Sequence, residues 1–258
     1  MPSWPARWAL SALSVLAVFL AWWLITSAGL IAPLYLPGPG AVVRKLVEVA
    51  RVGYMDATLW QHFQASLLRV LAALVLALAL AVPLGLALGL NRMLRSLVDP
   101  LIEFYRPIPP LAYLPLIVIW FGIGELSKVL LIFLAIFAPV VVATTAGVLA
   151  VDPIRMRVAQ SLGATRLQLV RYIVLPSALP TIMTGVRIAL GAGWSTLVAA
   201  ELIAATRGLG FMIQSASQFL ATDLVVGGIL IIAVVASLIE IVLRRLQQRL
   251  SPWLGRMS

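Results

Sequence analysis

The stretch VAQSLGATRLQLVRYIVLPSALP, residues 158–180, breaks a chain that otherwise runs from one apolar segment to the next. Just upstream, Asp152-Pro153 reads as an N-cap followed by proline at the first helical position, opening a short helix through about Leu162. Gly163 then supplies a turn of the kind that wants positive φ. Thr165, with Gln168 three residues on, forms a capping box, and TRLQLVRYIVL continues as helix until Pro176. Two short helices therefore meet at a glycine elbow, with Leu162 and Ala164 at the bend and arginines around it. A solvated loop needs no such order, so the stretch reads as a docking element presented to another protein.

Composition sets the surroundings of that elbow. Hydrophobic residues make up 62% of the chain and charged residues 11%, against roughly a quarter charged in soluble domains. With a mean hydropathy of +1.08, this is an integral membrane protein. A net charge of +10 raises nucleic acid as a partner, but the 17 arginines flank apolar spans instead of clustering with aromatics on a polar domain, which excludes it. The absence of cysteine excludes disulfides and thiol chemistry, and the single histidine, His62, has no second imidazole with which to share a metal. No metal site is expected.

Apolar stretches long enough to cross about 30 Å of hydrocarbon lie near 9–31, 67–90, 100–121, 127–150, 181–204 and 223–243, giving an all-α polytopic protein of about six transmembrane helices. The first resembles a signal peptide with Ala28 at a cleavage point, but it is longer than an ordinary h-region of about 7–15 residues and reads as a retained anchor. With the N-terminus inside, the cytoplasmic segments hold 12 basic residues (Arg7, Arg92, Arg95, Arg106, Arg155, Arg157, Arg166, Arg171, Arg244, Arg245, Arg249 and Arg256). The outside segments hold 5: Arg44, Lys45, Arg51, Lys128 and Arg207. Both termini and the elbow are therefore expected in the cytoplasm.

Three further segments carry local signals. LPGPGAVVRKLVEVARV (36–52) starts with turn chemistry and continues as an amphipathic helix, expected on the outer membrane surface as a spacer. YRPIPPLAYLPLIVIWFG (105–122) places Pro107, Pro109, Pro110 and Pro115 in a membrane segment and must break or kink. Either a broken helix borders a pathway there, or a cytoplasmic lead-in precedes a shorter helix. GLALG (85–89) offers a close helix-packing face.

Catalytic chemistry is not expected of this chain. No GxxxxGK[ST] motif is present, so nothing cradles nucleotide phosphates, and GWSTL (193–197) lacks the second glycine of a nucleophile elbow.

The elbow stretch resembles the EAA-type cytoplasmic loop of ABC importer permeases, with Gly163, Leu175-Pro176 and Pro180 at the expected offsets. IPPLAYLPLIVIWFGIGELSK (108–128) and GWSTLVAAELIAATRGLGFMI (193–213) resemble the nitrate, sulfonate and taurine permeases, and 193–213 is most similar to the taurine permeases among them. The resemblance runs from about residue 33 nearly to the end. It implies a type I ABC importer permease fold and a bacterial inner-membrane subunit that forms the path for taurine or a related sulfonate by alternating access. Its implied partners are a second copy of the chain, a cytoplasmic ABC ATPase dimer, a periplasmic substrate-binding protein and membrane lipid. ATP and Mg would sit on the ATPase, with no cofactor in this chain.

On the same resemblance the ATPase-coupling loop comprises Arg157, Ala159, Ser161, Leu162, Gly163, Ala164, Thr165, Leu175 and Pro176. Arg157 and Val158 stand where the motif has its glutamate and second alanine, so a cation replaces the usual acidic contact. The implied organisation is an anchor helix and periplasmic segment at 1–65, a core at 66–246 with the coupling loop at 152–180, and a cytoplasmic tail at 247–258. Nitrate or another small anion is the alternative cargo. An ion-coupled secondary transporter is the alternative mechanism, and a membrane-embedded enzyme comes third.

Several single residues have two readings each. Glu201, an intramembrane carboxylate, is a gate or pathway candidate, or else the partner of Arg207 or of an arginine from a second copy. Arg187 either attracts an anionic sulfonate or snorkels to cytoplasmic headgroups. Trp194, Ser195, Thr144 and Thr145 either face the pathway or pack between helices, and Glu240 with Arg244 is a local i,i+4 pair.

Overall fold

The computed structural model describes residues 4–252, with side chains described at 13–203 and 205–252. The end of the expected tail, including Arg256, and the Arg7 side chain lie outside the described residues. Every regular element described is helical. The order is α1 (Trp4–Ser27), α2 (Pro39–Val52), α3 (Leu59–Leu90), α4 (Arg92–Tyr105), a 3-10 turn (Pro110–Tyr113), α5 (Leu114–Phe121) and α6 (Glu125–Leu149). There follow α7 (Pro153–Ser161), α8 (Arg166–Leu169), a π turn (Val170–Val174), α9 (Leu175–Ala204), α10 (Leu209–Gln218) and α11 (Thr222–Leu250).

Among the described residues, four helical runs are long and apolar enough to cross a membrane: α3, α6, the run from α8 through α9, and α11. The fifth crossing is broken. Pro107, Pro109 and Pro110 cannot donate backbone hydrogen bonds, and the chain turns by 87° between α4 and the Pro110–Phe121 segment, so the span expected near 100–121 is broken as its prolines implied. The first expected span, 9–31, also stops early: α1 ends at Ser27, Gly29 follows with φ 65°, and Trp22 Nε1 donates to the Pro37 carbonyl at 3.0 Å as the chain turns back. Boundaries at 65/66 and 246/247 fall inside α3 and α11.

Lipid tails are as apolar as leucine, so close fit and not water exclusion must hold these helices together. α6 lies between α3 and α9, and small residues let the backbones meet. A Cβ on Gly85 of α3 would come within 2.5 Å of Thr144 Cβ, and one on Gly89 within 2.5 Å of Val148 Cβ, so both glycines of GLALG face α6. On the other side, Gly185 of α9 abuts Ala143, and Gly147 of α6 abuts the Ala178 carbonyl. Leu88, Ile136, Val141, Ile182 and Leu197 fill the seams between these contacts.

Two local expectations are corrected. Pro176 does not end the helix: the Leu175 N–H reaches back to the Val170 carbonyl, and this π turn makes room for the proline ring while the helix runs on into α9. Nor is α2 a free surface spacer. Its Val49 is buried with Leu209 and Met212 of α10 and Leu224 of α11, and Leu46 lies against Gly227.

Candidate functional site

The elbow is built as the residue types require. Asp152 Oδ1 accepts from the Ile154 N–H at 2.8 Å and caps α7, with Pro153 in its first turn. At the other end the Gly163 N–H donates to the Gln160 carbonyl and the Ala164 N–H to the Ala159 carbonyl, each at 3.0 Å, with Gly163 at φ 81°. This double closure is the Schellman arrangement, which glycine adopts without steric cost. Thr165 and Gln168 then exchange both bonds of a capping box and start α8.

The elbow presents an apolar edge. Ile154, Val158 and Leu162 recur every four residues along one face of α7, and Leu162 is 82% exposed. Arg157, Ser161, Gly163 and Thr165 are exposed, Ala159 and Ala164 half-buried, and Leu175 and Pro176 half-buried where the chain joins α9. Among the described residues Arg157 makes no ion pair. Ile154 and Leu167 (75% exposed) are part of this surface that motif reading passed over. Their period-four spacing from Val158 and Leu162 was the available signal for Ile154.

The intramembrane candidates separate. Thr144 and Thr145 are buried in the α3–α6 seam, donating to the Val140 and Gly85 carbonyls, and Trp194 is buried in the core. Of the four, only Ser195 is exposed, on the open face of α9. Arg187 does not snorkel: its Nε donates to Glu240 at 2.8 Å and its Nη1 to Gln247 at 3.3 Å, tying α9 to α11. Glu240 therefore serves Arg187 first, with Arg244 a looser partner at 3.3 Å.

Glu201 is also paired, but not with Arg207. Its fully buried carboxylate accepts from Arg69 Nη1 at 2.5 Å, from Ser66 Oγ at 2.8 Å and from the Gly210 N–H at 2.8 Å. Arg207 contributes only its carbonyl, which accepts from Arg69 Nη1 at 2.7 Å. Arg69 turns the rest of its guanidinium to Glu125, Nε to Oε2 at 2.5 Å and Nη2 to Oε1 at 2.7 Å, a bidentate fork. Lys128 Nζ closes the cluster on Glu125 at 2.8 Å. Two cations and two anions cancel, so this clamp offers no free charge to a passing anion.

The clamp ties the start of α3 and α6 to the end of α9, at the end of these helices opposite the elbow. It also caps α10. The N–H groups of Gly208, Leu209 and Gly210 donate to His62 Nδ1, Ser66 Oγ and Glu201, satisfying the donors that a helix start leaves open. His62 Nε2 lies 2.9 Å from the Tyr54 carbonyl, so it carries the proton and leaves Nδ1 to accept. Gly208, at φ 141°, admits no Cβ because the Glu201 carboxylate fills that space. Sequence reading missed Arg69, Glu125 and Lys128, although a lone arginine at the head of an apolar run was a signal for a buried partner.

Comparison with known proteins places this geometry. Residues 81–256 match the family model described as the binding-protein-dependent transport system inner membrane component. The chain is 58% identical to the taurine transport system permease protein TauC of Escherichia coli (strain K12), over 98% of this chain and 94% of the relative. It is 38% identical to the putative aliphatic sulfonates transport permease protein SsuC of the same organism, over 91% of this chain and 89% of the relative. A solved structure of the MetNI methionine ABC transporter in inward-facing conformations shares the fold with a TM-score of 0.65. That match has 18% identity and covers 72% of this chain and 93% of the other. The chain therefore has the fold of an ABC importer permease and belongs to the family of inner membrane components of binding-protein-dependent transport systems.

Proposed function

We propose that this permease carries taurine across a bacterial inner membrane as a homodimer set on a dimer of cytoplasmic ATPases, with a periplasmic binding protein delivering the cargo. The observation that carries the reading is identity of 58% to a taurine permease along nearly the whole chain, well above the 38% to an aliphatic sulfonate permease. ATP and Mg belong to the ATPase, since the chain has no phosphate-binding loop. Both termini and the elbow lie in the cytoplasm, which the excess of basic residues in the corresponding loops supports. The organisation is an anchor and periplasmic segment at 1–65, a core at 66–246 and a cytoplasmic tail at 247–258.

In this reading the exposed edge of Ile154, Val158 and Leu162 seats in the ATPase, and the coupling set runs from Arg157 through Thr165 to Leu175-Pro176. Closure of the nucleotide-bound ATPases draws the two elbows together and turns the path from one face to the other. Reconstitution with the cognate ATPase and binding protein tests it. Taurine is expected to stimulate ATP hydrolysis and to accumulate in the vesicles, with aliphatic sulfonates weaker and nitrate inert. Preference for nitrate or a long-chain sulfonate overturns the taurine assignment, and accumulation without ATP overturns the mechanism.

A further inference from the structure

Three hydrogen-bond donors of the clamp converge on Glu125, which has two oxygens to offer them. Oε2 accepts from Arg69 Nε at 2.5 Å, while Oε1 is shared between Arg69 Nη2 at 2.7 Å and Lys128 Nζ at 2.8 Å. Glu125 is also the only acceptor that Lys128 has among the described residues.

Burial divides the four charges unevenly. The side chains of Arg69 and Lys128 are each 5% exposed and that of Glu201 is sealed, whereas that of Glu125 is 63% exposed. Two buried cations thus reach the surface through one carboxylate, the one member of the cluster that can leave for water at little cost to itself. Nothing walls it in: Glu125 starts α6, and a Cβ added to the preceding Gly124 would meet no atom within 4 Å. Its departure leaves Arg69 balanced by Glu201 but Lys128 buried without a counter-charge, so another monoanion must take its place.

We infer that Glu125 is the placeholder of a latent oxyanion site, which the sulfonate of the cargo enters by displacing it. A sulfonate carries one negative charge, like the carboxylate it replaces, but it has three oxygens, one for each of Arg69 Nε, Arg69 Nη2 and Lys128 Nζ. The Arg69–Glu201 bond and the caps on α10 take no part in the exchange, so the three helix ends stay joined while the site fills. The site lies at the end of the slab opposite the elbow, where the proposed orientation puts the binding protein. The inference rests on the taurine reading and deepens it, naming where the permease itself first pairs with the cargo it is handed.

Thermal unfolding of the purified complete transporter, in ethanesulfonate or in chloride at equal ionic strength, tests the site. Wild type should be stabilised only weakly, because the anion competes with Glu125. Glu125→Ala removes that competitor, and the half-saturating concentration of ethanesulfonate should fall by about tenfold or more. Propionate, with two oxygens, should bind more weakly than ethanesulfonate. Adding Lys128→Met to Glu125→Ala should abolish the stabilisation. Glu125→Gln, which still offers an oxygen to both cations, decides the matter if Glu125→Ala is not recovered intact.

Transport shows whether the site is used. Lys128→Met alone leaves the fork between Arg69 and Glu125 in place, so thermal stability should stay near wild type. Taurine uptake at saturating loaded binding protein should nonetheless fall about tenfold, and Lys128→Arg should keep most of it. No stabilisation specific to ethanesulfonate in the Glu125 variants, propionate binding equally well, or wild-type uptake by Lys128→Met overturns the inference. The wild-type transporter is assayed with labelled taurine in parallel. Normal uptake with an unresponsive clamp defeats the placeholder alone, whereas absent uptake defeats the taurine reading beneath it.

Discussion

Replacing Arg69 by methionine removes the cation that holds three helix ends together. Its four N–H···O contacts do not count equally. Glu125, with a side chain 63% exposed, keeps Lys128 and gains water, so it loses little. Glu201 is fully buried and keeps only Ser66 Oγ and the Gly210 N–H, with no cation near it. Stripping one partner from such a pair costs about 3–5 kcal/mol, mostly the penalty of the charge left behind. For a chain of this size that corresponds to a fall in apparent melting temperature of about 6–20 °C. Thermal unfolding of the detergent-solubilised permease, followed by size-exclusion chromatography, measures the loss. Arg69→Met with Glu201→Gln should recover at least half of it, because a neutral amide still meets Ser66 and Gly210. Glu125→Gln should cost less, because Arg69 keeps Glu201 and the amide oxygen can still accept from Arg69 and from the buried Lys128. If Arg69→Met proves no worse than Glu125→Gln, the clamp is not organised around Glu201.

Other changes separate folding from coupling. Gly163→Val should cost the elbow about 1–2 kcal/mol of backbone strain at φ 81° with no collision in the native space, leaving membrane expression near wild type while uptake collapses. Normal uptake by that variant would remove the elbow from the mechanism. Leu162→Asp, at a side chain 82% exposed, should leave thermal stability unchanged yet abolish co-purification of the ATPase or its stimulation by loaded binding protein. Gly85→Leu should do the reverse and fail at assembly, read as loss of detergent-stable protein, because its Cβ would press within 2.5 Å of Thr144 Cβ. A cysteine at Ser177 should stay unreactive to an impermeant reagent applied from the periplasm; labelling from that side inverts the topology.

Local chemistry made much of the fold legible. The Asp152-Pro153 start, the Gly163 turn and the Thr165–Gln168 box each depend on neighbours within four residues, and the structure forms all three as read. The same holds for GLALG, whose spacing already implied a close face. What stayed hidden depends on distance along the chain. Arg69 and Glu201 are 132 residues apart, and Arg187 and Glu240 are 53 apart, so nothing local distinguishes a buried partner from a headgroup or a ligand. Pro176 misled for a different reason: a π turn one step earlier absorbs its ring, and neither apolar period nor capping pattern registers such a turn.

Glycine contacts on both flanks of α6 have a mechanical consequence. With α3 and α9 seated against it and the ends opposite the elbow bound by a four-charge clamp, the slab should resist internal shear and act as a stiff lever. α6 alone is 25 residues, about 37 Å long, so a tilt of about 5° imposed at the elbow end swings the far end by about 3 Å. Little of that displacement is lost to sliding between neighbours, because Gly85, Gly89, Gly147 and Gly185 leave no slack in the seams. The compliant joints must then lie elsewhere, at the proline break after Tyr105 and along the faces of α9 and α11 left open in this chain.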